Sequence, residues 1–167
     1  EGFAQKLAKH GDIYVNDAFG TAHRAHASTA VIAKFMEKKC FGLLMEKELD
    51  NLHHFVANPK PPVAAVIGGA KVSSKIGVME SLLPKIDRLI IGGGMSYTFA
   101  KALGGEVGNS LVEEDKQEEA LQILEAAKKQ NVEVLLPVDS VIADEFSNDA
   151  NRDTCDTDSI PPRWMGL

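Results

Sequence analysis

Cysteine is scarce in this sequence, and long apolar runs are absent from it. The chain of 167 residues has 2 cysteines, Cys40 and Cys155, which lie far apart without a CxxC pattern or a Cys/His cluster beside them. This argues against a disulfide framework or a structural zinc site and favours a reducing compartment. The apolar runs are far too short to cross a bilayer, and no signal-peptide pattern begins the sequence. We therefore expect a cytoplasmic protein without a membrane partner.

Positive charge is in deficit overall, but not everywhere. The formal net charge is −6. Residues 1–109 carry 13 Lys+Arg against 10 Asp+Glu, whereas residues 110–167 carry 5 against 14. Because nucleic-acid binders draw their affinity from phosphate neutralisation, this balance argues against a nucleic-acid partner. A local basic site for a small anion, within residues 20–101, is the better interpretation.

Both ends of the sequence indicate a piece of a longer protein. The sequence begins at Glu1 without a methionine and runs directly into a helical pattern. It stops on the apolar segment Trp164-Met165-Gly166-Leu167, where a compact chain normally continues. We therefore expect further segments on both sides.

Beyond residue 62, short apolar runs alternate with helical stretches. The pattern predicts strands at 63–67, 88–91 and 132–136, and helices at 74–83, 96–103 and 113–129. This alternation predicts an α/β fold, a Rossmann-like three-layer αβα arrangement around a parallel sheet, with ligands at the carboxyl ends of the strands. Residues 147–163, rich in Ser, Asn, Asp, Thr and Pro, are expected to form a long loop.

A predicted helix over 42–57 separates two regions of different composition. Four apolar residues share one stripe of it: Met45, Leu49, Leu52 and Val56. The segment Asn58-Pro59-Lys60-Pro61-Pro62 ends the helix. We therefore place residues 1–41 in one domain, 42–58 in a connecting helix and 59–167 in a second domain.

Two glycine-rich segments follow predicted strands of the second domain. Gly68-Gly69-Ala70-Lys71-Val72-Ser73-Ser74-Lys75 follows the first strand, and Gly92-Gly93-Gly94-Met95 follows the next. Glycines let a ligand approach the backbone, and two lysines four apart can project from one helix face toward the same anion. The alternatives are a tight turn with two solvated lysines and a glycine cluster that serves packing. Neither segment matches the Walker or GxGxxG pattern.

A third candidate is the loop after the predicted strand at 12–16. It contains His23-Arg24-Ala25-His26, in which Arg24 has no acidic neighbour in sequence and suits bidentate contact with a carboxylate or phosphate. For His26 a structural role is the favoured interpretation. Four acids lack convincing metal-ligand spacing and are assigned structural or solvated roles: Asp17, Asp139, Asp144 and Glu145.

In this order, these motifs resemble phosphoglycerate kinase. The similarity covers five segments: Asp12 to His26, Gly42 to Leu49, Ile67 to Lys75, Ile91 to Met95, and Trp164 to Leu167. The resemblance spans the whole chain but less than half of the family protein. It implies the end of the 3-phosphoglycerate lobe, the interlobe helix and the first part of the nucleotide lobe. Ser74 stands where some members have Asp, and Pro162-Arg163 departs from the small residues expected before the tryptophan.

The resemblance also implies roles for individual residues. Arg24 would hold 3-phosphoglycerate, with His23 and His26 in the same basic patch. Lys75 and Lys71 would be the catalytic lysines and would also bind the nucleotide. Lys75 would contact the nucleotide phosphates and the transferring group, with Lys71 near it. The adenine-nucleotide shelf would comprise Gly69, Ala70, Gly93, Gly94 and Leu111.

The same resemblance implies the ligands of the complete protein. They are ATP or ADP with Mg²⁺, the metal being held through the nucleotide and residues outside this chain, and 3-phosphoglycerate or 1,3-bisphosphoglycerate. The complete enzyme is expected to be a monomer and this chain inactive alone. A rival hypothesis is a non-catalytic α/β module that binds a phosphorylated ligand or a partner protein through the basic residues.

Overall fold

The computed structural model describes residues 1–57 and 59–167, and the side chain of Val56 also lies outside that description. Within it the chain divides into two compact units, Glu1–Pro59 and Lys60–Leu167. The Val56 side chain in the predicted stripe and Asn58 at the predicted helix end therefore lie outside that description.

The first unit combines helices with a small parallel sheet. Its elements are α1 (Gly2–Ala8), β1 (Ile13–Asn16), β2 (Lys38–Phe41) and α2 (Leu43–Ala57). Strands β1 and β2 pair in parallel. Ala4, Ile32 and Met36 form the core of the unit, and the ring of Tyr14 packs against it. The predicted strand after α1 and the predicted helix at 42–57 are confirmed.

Of the three stripe residues whose side chains the structure describes, helix α2 buries only Met45. Met45 is 3% exposed, whereas Leu49 and Leu52 are 40% and 49% exposed. A periodic pattern predicts the helix, but burial also needs a partner surface. Helix α2 contacts the 3-10 turn Phe19–Thr21. α2 has 15 residues, and no helix in the described ranges is long and apolar enough to cross a membrane.

A parallel sheet organises the second unit. Its strands are β3 (Ala64–Gly68), β4 (Arg88–Gly92) and, beyond a two-residue strand β5 (Glu106–Val107), β6 (Glu133–Leu135). The order is β3-β4-β6, with all pairs parallel. The connecting helices are α3 (Ile76–Leu82), α4 (Met95–Ala102) and α5 (Gln117–Lys129).

One face of this sheet is buried under helices. Ala65 lies opposite Leu89, and Ile67 lies opposite Ile91, and all four side chains are buried. Helix α4 contacts β4, and α5 contacts β6. The predicted α/β class with a Rossmann-like parallel sheet is therefore confirmed.

The prediction of a long loop at 147–163 is wrong. Strand β7 (Asp139–Ala143) pairs in antiparallel fashion with β8 (Arg152–Asp156) and β10 (Met165–Gly166), and β9 (Ser159–Ile160) pairs with β5. Of the β8 residues only Cys155 is half-buried, and the others are exposed. An antiparallel strand with so little burial carries no apolar run, so its polar sequence gave no strand signal.

Candidate functional site

The two glycine-rich strand exits lie against each other at the carboxyl edge of the sheet. Gly68 lies opposite Gly92 in the register, and the N–H of Met95 donates to the Gly69 carbonyl at 2.8 Å. At Gly93, where φ is +68°, an added Cβ would come within 2.9 Å of the Gly69 nitrogen. Because both the positive φ and the close backbone approach exclude a side chain, this edge requires glycine at position 93.

The apolar side chain of Leu111 lies beside these glycines. A Cβ added at Gly94 would lie 3.5 Å from the Cα of Ala70 and 3.5 Å from Cδ2 of Leu111. Leu111 is 50% exposed, so it offers a free apolar surface beside bare backbone. We call the following five residues the glycine shelf: Gly69, Ala70, Gly93, Gly94 and Leu111. The structure brings them to one edge of the sheet, and their function stays a prediction.

The two lysines precede α3 instead of lying along it. Lys75 is the N-cap residue of this helix. The N–H groups of Lys75 and Ile76 donate to the Val72 carbonyl at 2.8 and 3.1 Å, and the Val72 side chain is fully buried. The prediction that Lys71 and Lys75 project from one helix face is therefore wrong, because the buried Val72 folds this segment into a turn. Lys71 is exposed and Lys75 is half-buried.

Glu113 contacts the same turn. Its Oε1 accepts a hydrogen bond from the Ser73 hydroxyl at 2.6 Å, and its Oε2 accepts one from the Ser73 N–H at 3.0 Å. The Ser73 hydroxyl bond, helped by backbone N–H groups and the Lys71 charge, lowers the pKa of Glu113 against a smaller opposing effect of desolvation. The carboxylate therefore stays ionised under the influence of the Lys71 charge.

Sequence reasoning missed Glu113. Glu113 and Ser73 are 40 residues apart, and the sequence pattern placed Glu113 only as the first residue of the predicted helix at 113–129. Only the fold brings this carboxylate to the turn, so no local motif could have indicated it.

The loop after β1 is fixed by side chains that bind its backbone. The Tyr14 hydroxyl donates to the carbonyls of Ser28 and Thr29 at 2.9 and 3.0 Å. The Asn16 amide also donates to the Thr29 carbonyl, and the Thr29 hydroxyl donates to the Arg24 carbonyl at 2.9 Å. Burial raises the pKa of Tyr14, so its hydroxyl remains protonated as a donor. The loop backbone is thus held independently of its basic side chains.

The basic side chains of this loop are exposed. They belong to His23, Arg24 and His26, which we call the basic loop. In the part of the chain that the structure describes, no salt bridge involves Arg24. The carbonyl of His26 accepts N–H bonds from Thr29, Ala30 and Val31, so its backbone has a structural role. The Arg24 guanidinium is left available for an external carboxylate or phosphate.

Two of the four acids have identifiable structural roles. Oδ1 of Asp17 accepts the N–H of Met45 at 2.9 Å and so caps the first turn of α2. A Cβ added at Gly42 would overlap the Asp17 carboxylate, so this cap also needs glycine there. Asp144 accepts hydrogen bonds from the backbone and side chain of Asn151.

Across residues 1–57 and 59–167, no group of three or more His, Cys, Asp or Glu side chains is arranged to hold a metal ion. The Glu113 carboxylate beside the lysines is already engaged by Ser73.

Comparison with known proteins gives a consistent result. The family model described as "Phosphoglycerate kinase" matches residues 1–167. A relative from Triticum aestivum, "Phosphoglycerate kinase, cytosolic", is 59% identical over 165 residues, which are 99% of this chain and 41% of the relative. A relative from Arabidopsis thaliana, "Phosphoglycerate kinase 2, chloroplastic", is 59% identical over 165 residues, 99% of this chain and 34% of the relative.

A solved structure agrees with these sequence matches. The phosphoglycerate kinase of Coxiella burnetii superposes with a TM-score of 0.75 at 43% identity, covering 99% of this chain and 42% of that one. The chain thus spans about two fifths of the length of the wheat relative, 41%.

Proposed function

The chain belongs to the phosphoglycerate kinase family, and on that premise we propose that it forms part of an enzyme for reversible phosphoryl transfer. In this reaction 1,3-bisphosphoglycerate and ADP give 3-phosphoglycerate and ATP. The observation that carries the proposal is the meeting of the two glycine-rich strand exits beside Leu111, directly before the turn that holds Lys71 and Lys75.

We assign the adenine nucleotide to the glycine shelf. A flat ring can lie against backbone that has no side chains, with the exposed Leu111 at its edge. Lys71 follows Ala70 directly in the chain, so the phosphates of a nucleotide on the shelf would extend toward the Lys71–Lys75 turn. The two ammonium groups would offset the phosphate charge, and Lys75, at the start of α3, would contact the transferring group.

We assign 3-phosphoglycerate to the basic loop. The exposed Arg24 guanidinium can donate two parallel hydrogen bonds to a carboxylate or phosphate, and its carbonyl is fixed by Thr29 at 2.9 Å. His23 and His26 extend the positive surface when they are protonated. The role of His26 is secondary because its carbonyl already organises the loop.

The chemistry fits a site without a general base. A β-phosphate oxygen of ADP, already ionised, forms the new bond to phosphorus, and the acyl P–O bond breaks to release a carboxylate. No proton has to be moved, so positioning and charge neutralisation supply the catalysis. Lysine and arginine residues are suited to both tasks.

Three further properties of the complete enzyme are proposed. Mg²⁺ would accompany the nucleotide, held by its phosphates and by residues outside this chain, and we derive no step through it. The complete enzyme would be monomeric. It would reside in the cytoplasm, where reducing conditions preserve the free thiols of Cys40 and Cys155. The name of the wheat relative includes "cytosolic", which agrees with this, whereas that of the Arabidopsis relative includes "chloroplastic".

A coupled assay tests the proposal. The complete protein that contains this segment is supplied with 3-phosphoglycerate, ATP and Mg²⁺, and ADP formation is followed. We expect turnover that depends on both substrates. A folded complete protein that binds ATP and 3-phosphoglycerate without turnover would instead support the non-catalytic binding module.

A further inference from the structure

The carboxylate of Glu113 accepts hydrogen bonds from a distant segment of the chain and none from the helical turn that follows it. It occupies the N-cap position before the 3-10 turn Glu114–Lys116, yet its side chain makes no capping hydrogen bond there. An acid at such a position ordinarily binds the first free N–H groups of its own turn. Here both carboxylate oxygens bind Ser73, at 2.6 and 3.0 Å.

The backbone of Glu113 is anchored on the other side. Its N–H donates to the hydroxyl of Thr98 at 3.1 Å, and Thr98 is 1% exposed on α4. Helix α4 begins at Met95, immediately after the second glycine exit, and Leu111 of the glycine shelf is two residues before Glu113. A single residue thus joins α4, the Leu111 segment and the turn between the two lysines.

We infer that Glu113 is a positioning residue, which holds the Lys71–Lys75 turn in place against the glycine shelf for phosphate binding. This inference rests on the function proposed above. Ser73 lies in the middle of the turn, two residues from each lysine, so fixing Ser73 restricts both ends. Ser74 adds an internal bond, from its hydroxyl to the Lys71 carbonyl at 3.1 Å.

A carboxylate near a phosphate site repels the ligand unless its charge is compensated. In this structure, Ser73 satisfies both oxygens of Glu113, and the positive charge of Lys71 acts on the same group. Glu113 therefore holds the turn through Ser73, while the positive charge of Lys71 offsets the negative charge of its carboxylate. Loss of the acid frees the turn to adopt other conformations, so the lysines must be ordered when the nucleotide binds.

The test uses the complete enzyme with Glu113→Ala, Ser73→Ala and the double variant. Glu118→Ala is the matched control, since Glu118 is an exposed acid in the first turn of α5. Steady-state constants are measured for ATP and for 3-phosphoglycerate, together with the thermal unfolding temperature. We expect Glu113→Ala to lower kcat/KM for ATP by about tenfold, the scale of one lost hydrogen bond to a charged group. The KM for 3-phosphoglycerate and the unfolding temperature should stay near those of the control.

Ser73→Ala should reproduce part of this loss in kcat/KM for ATP. The double variant should lose no more than Glu113→Ala alone, because both substitutions act on the same contact between Glu113 and Ser73. Unchanged nucleotide constants in Glu113→Ala would overturn the inference. An equal loss of kcat/KM for both substrates together with a lower unfolding temperature would also overturn it, because that result indicates general destabilisation. If Glu113→Ala does not fold, Ser73→Ala decides, and unchanged nucleotide constants there overturn the inference. A wild-type enzyme without kinase activity would refute the proposed function itself.

Discussion

The glycine shelf and the basic loop are built in opposite ways. In the glycine shelf, backbone meets backbone so closely that a Cβ at Gly93 would lie 2.9 Å from the Gly69 nitrogen. At the basic loop, hydrogen bonds from the side chains of Tyr14, Asn16 and Thr29 fix the surrounding backbone, while the side chain of Arg24 is exposed. The first surface is suited to a flat ring because its glycines leave the backbone bare. The second is suited to an anion because the Arg24 side chain is exposed.

This difference predicts opposite sensitivities. Adding atoms should damage the glycine shelf, because a Cβ at Gly93 would meet the Gly69 backbone and φ is positive at Gly69 and Gly93. Removing atoms should damage the basic loop and the Lys71–Lys75 turn, where the charge is carried by single side chains. The predictions below follow from this contrast.

The largest effect is expected when the 167-residue chain is assayed alone. The chain spans 41% of the wheat relative, and each proposed substrate would lose the contacts that the rest of the enzyme supplies. Because orientation of both substrates provides much of the rate, we expect no turnover in the coupled assay. Turnover by the purified chain, above that of a Lys75→Ala preparation, would contradict this prediction.

Lys75→Ala in the complete enzyme should have the next largest effect. Negative charge spreads over the transferring phosphoryl group, so a fixed cation stabilises the transition state more than either ground state. We expect kcat to fall by roughly 10²-fold or more, the scale for one preorganised electrostatic contact, with a smaller change in 3-phosphoglycerate affinity. Lys71→Ala is the matched comparison and should be milder, since Lys71 is more exposed. Near-normal kcat in a folded Lys75→Ala enzyme would contradict this role and would show that Lys75 is a solvated residue.

Gly93→Ala should have a smaller effect, directed at stability. Its φ of +68° and the nearby Gly69 backbone oppose any side chain, and a strained backbone of this kind costs roughly 1–3 kcal/mol. Gly92→Ala is the matched control, because an added Cβ there has no atom within 4 Å. Urea unfolding of the complete enzyme should show the loss only in Gly93→Ala. Equal stability of the two variants would mean that the glycine shelf tolerates added atoms.

Periodicity and turn residues were sufficient to predict the parallel sheet and its helices. The apolar runs that became β3 and β4 are buried on one face, and the glycines after them mark the strand exits. The turn residues also singled out the two glycine-rich segments, whereas the choice of the five shelf residues, Leu111 among them, came from the resemblance to phosphoglycerate kinase. Arg24 could be singled out because no acid is near it in sequence.

Other features depend on contacts that no local pattern carries. The Lys71–Lys75 segment is a turn because Val72 is buried and its carbonyl accepts two N–H bonds, which a spacing of four residues does not indicate. The link between Glu113 and Ser73 spans 40 residues. Strand β8 is polar because little of it is buried. In each case, tertiary packing overrides the local preference.

The separate roles of the two regions are tested most directly by the affinities of Arg24→Ala for both ligands. In the complete enzyme, calorimetric titration should show 3-phosphoglycerate binding weakened by about 1.5 to 3 kcal/mol, the value of a hydrogen bond to a charged group. ADP affinity should equal that of wild type and of Lys9→Ala, an exposed cation at the end of α1. Equal weakening of both ligands, or unchanged binding of 3-phosphoglycerate, would contradict the assignment of one substrate to each region.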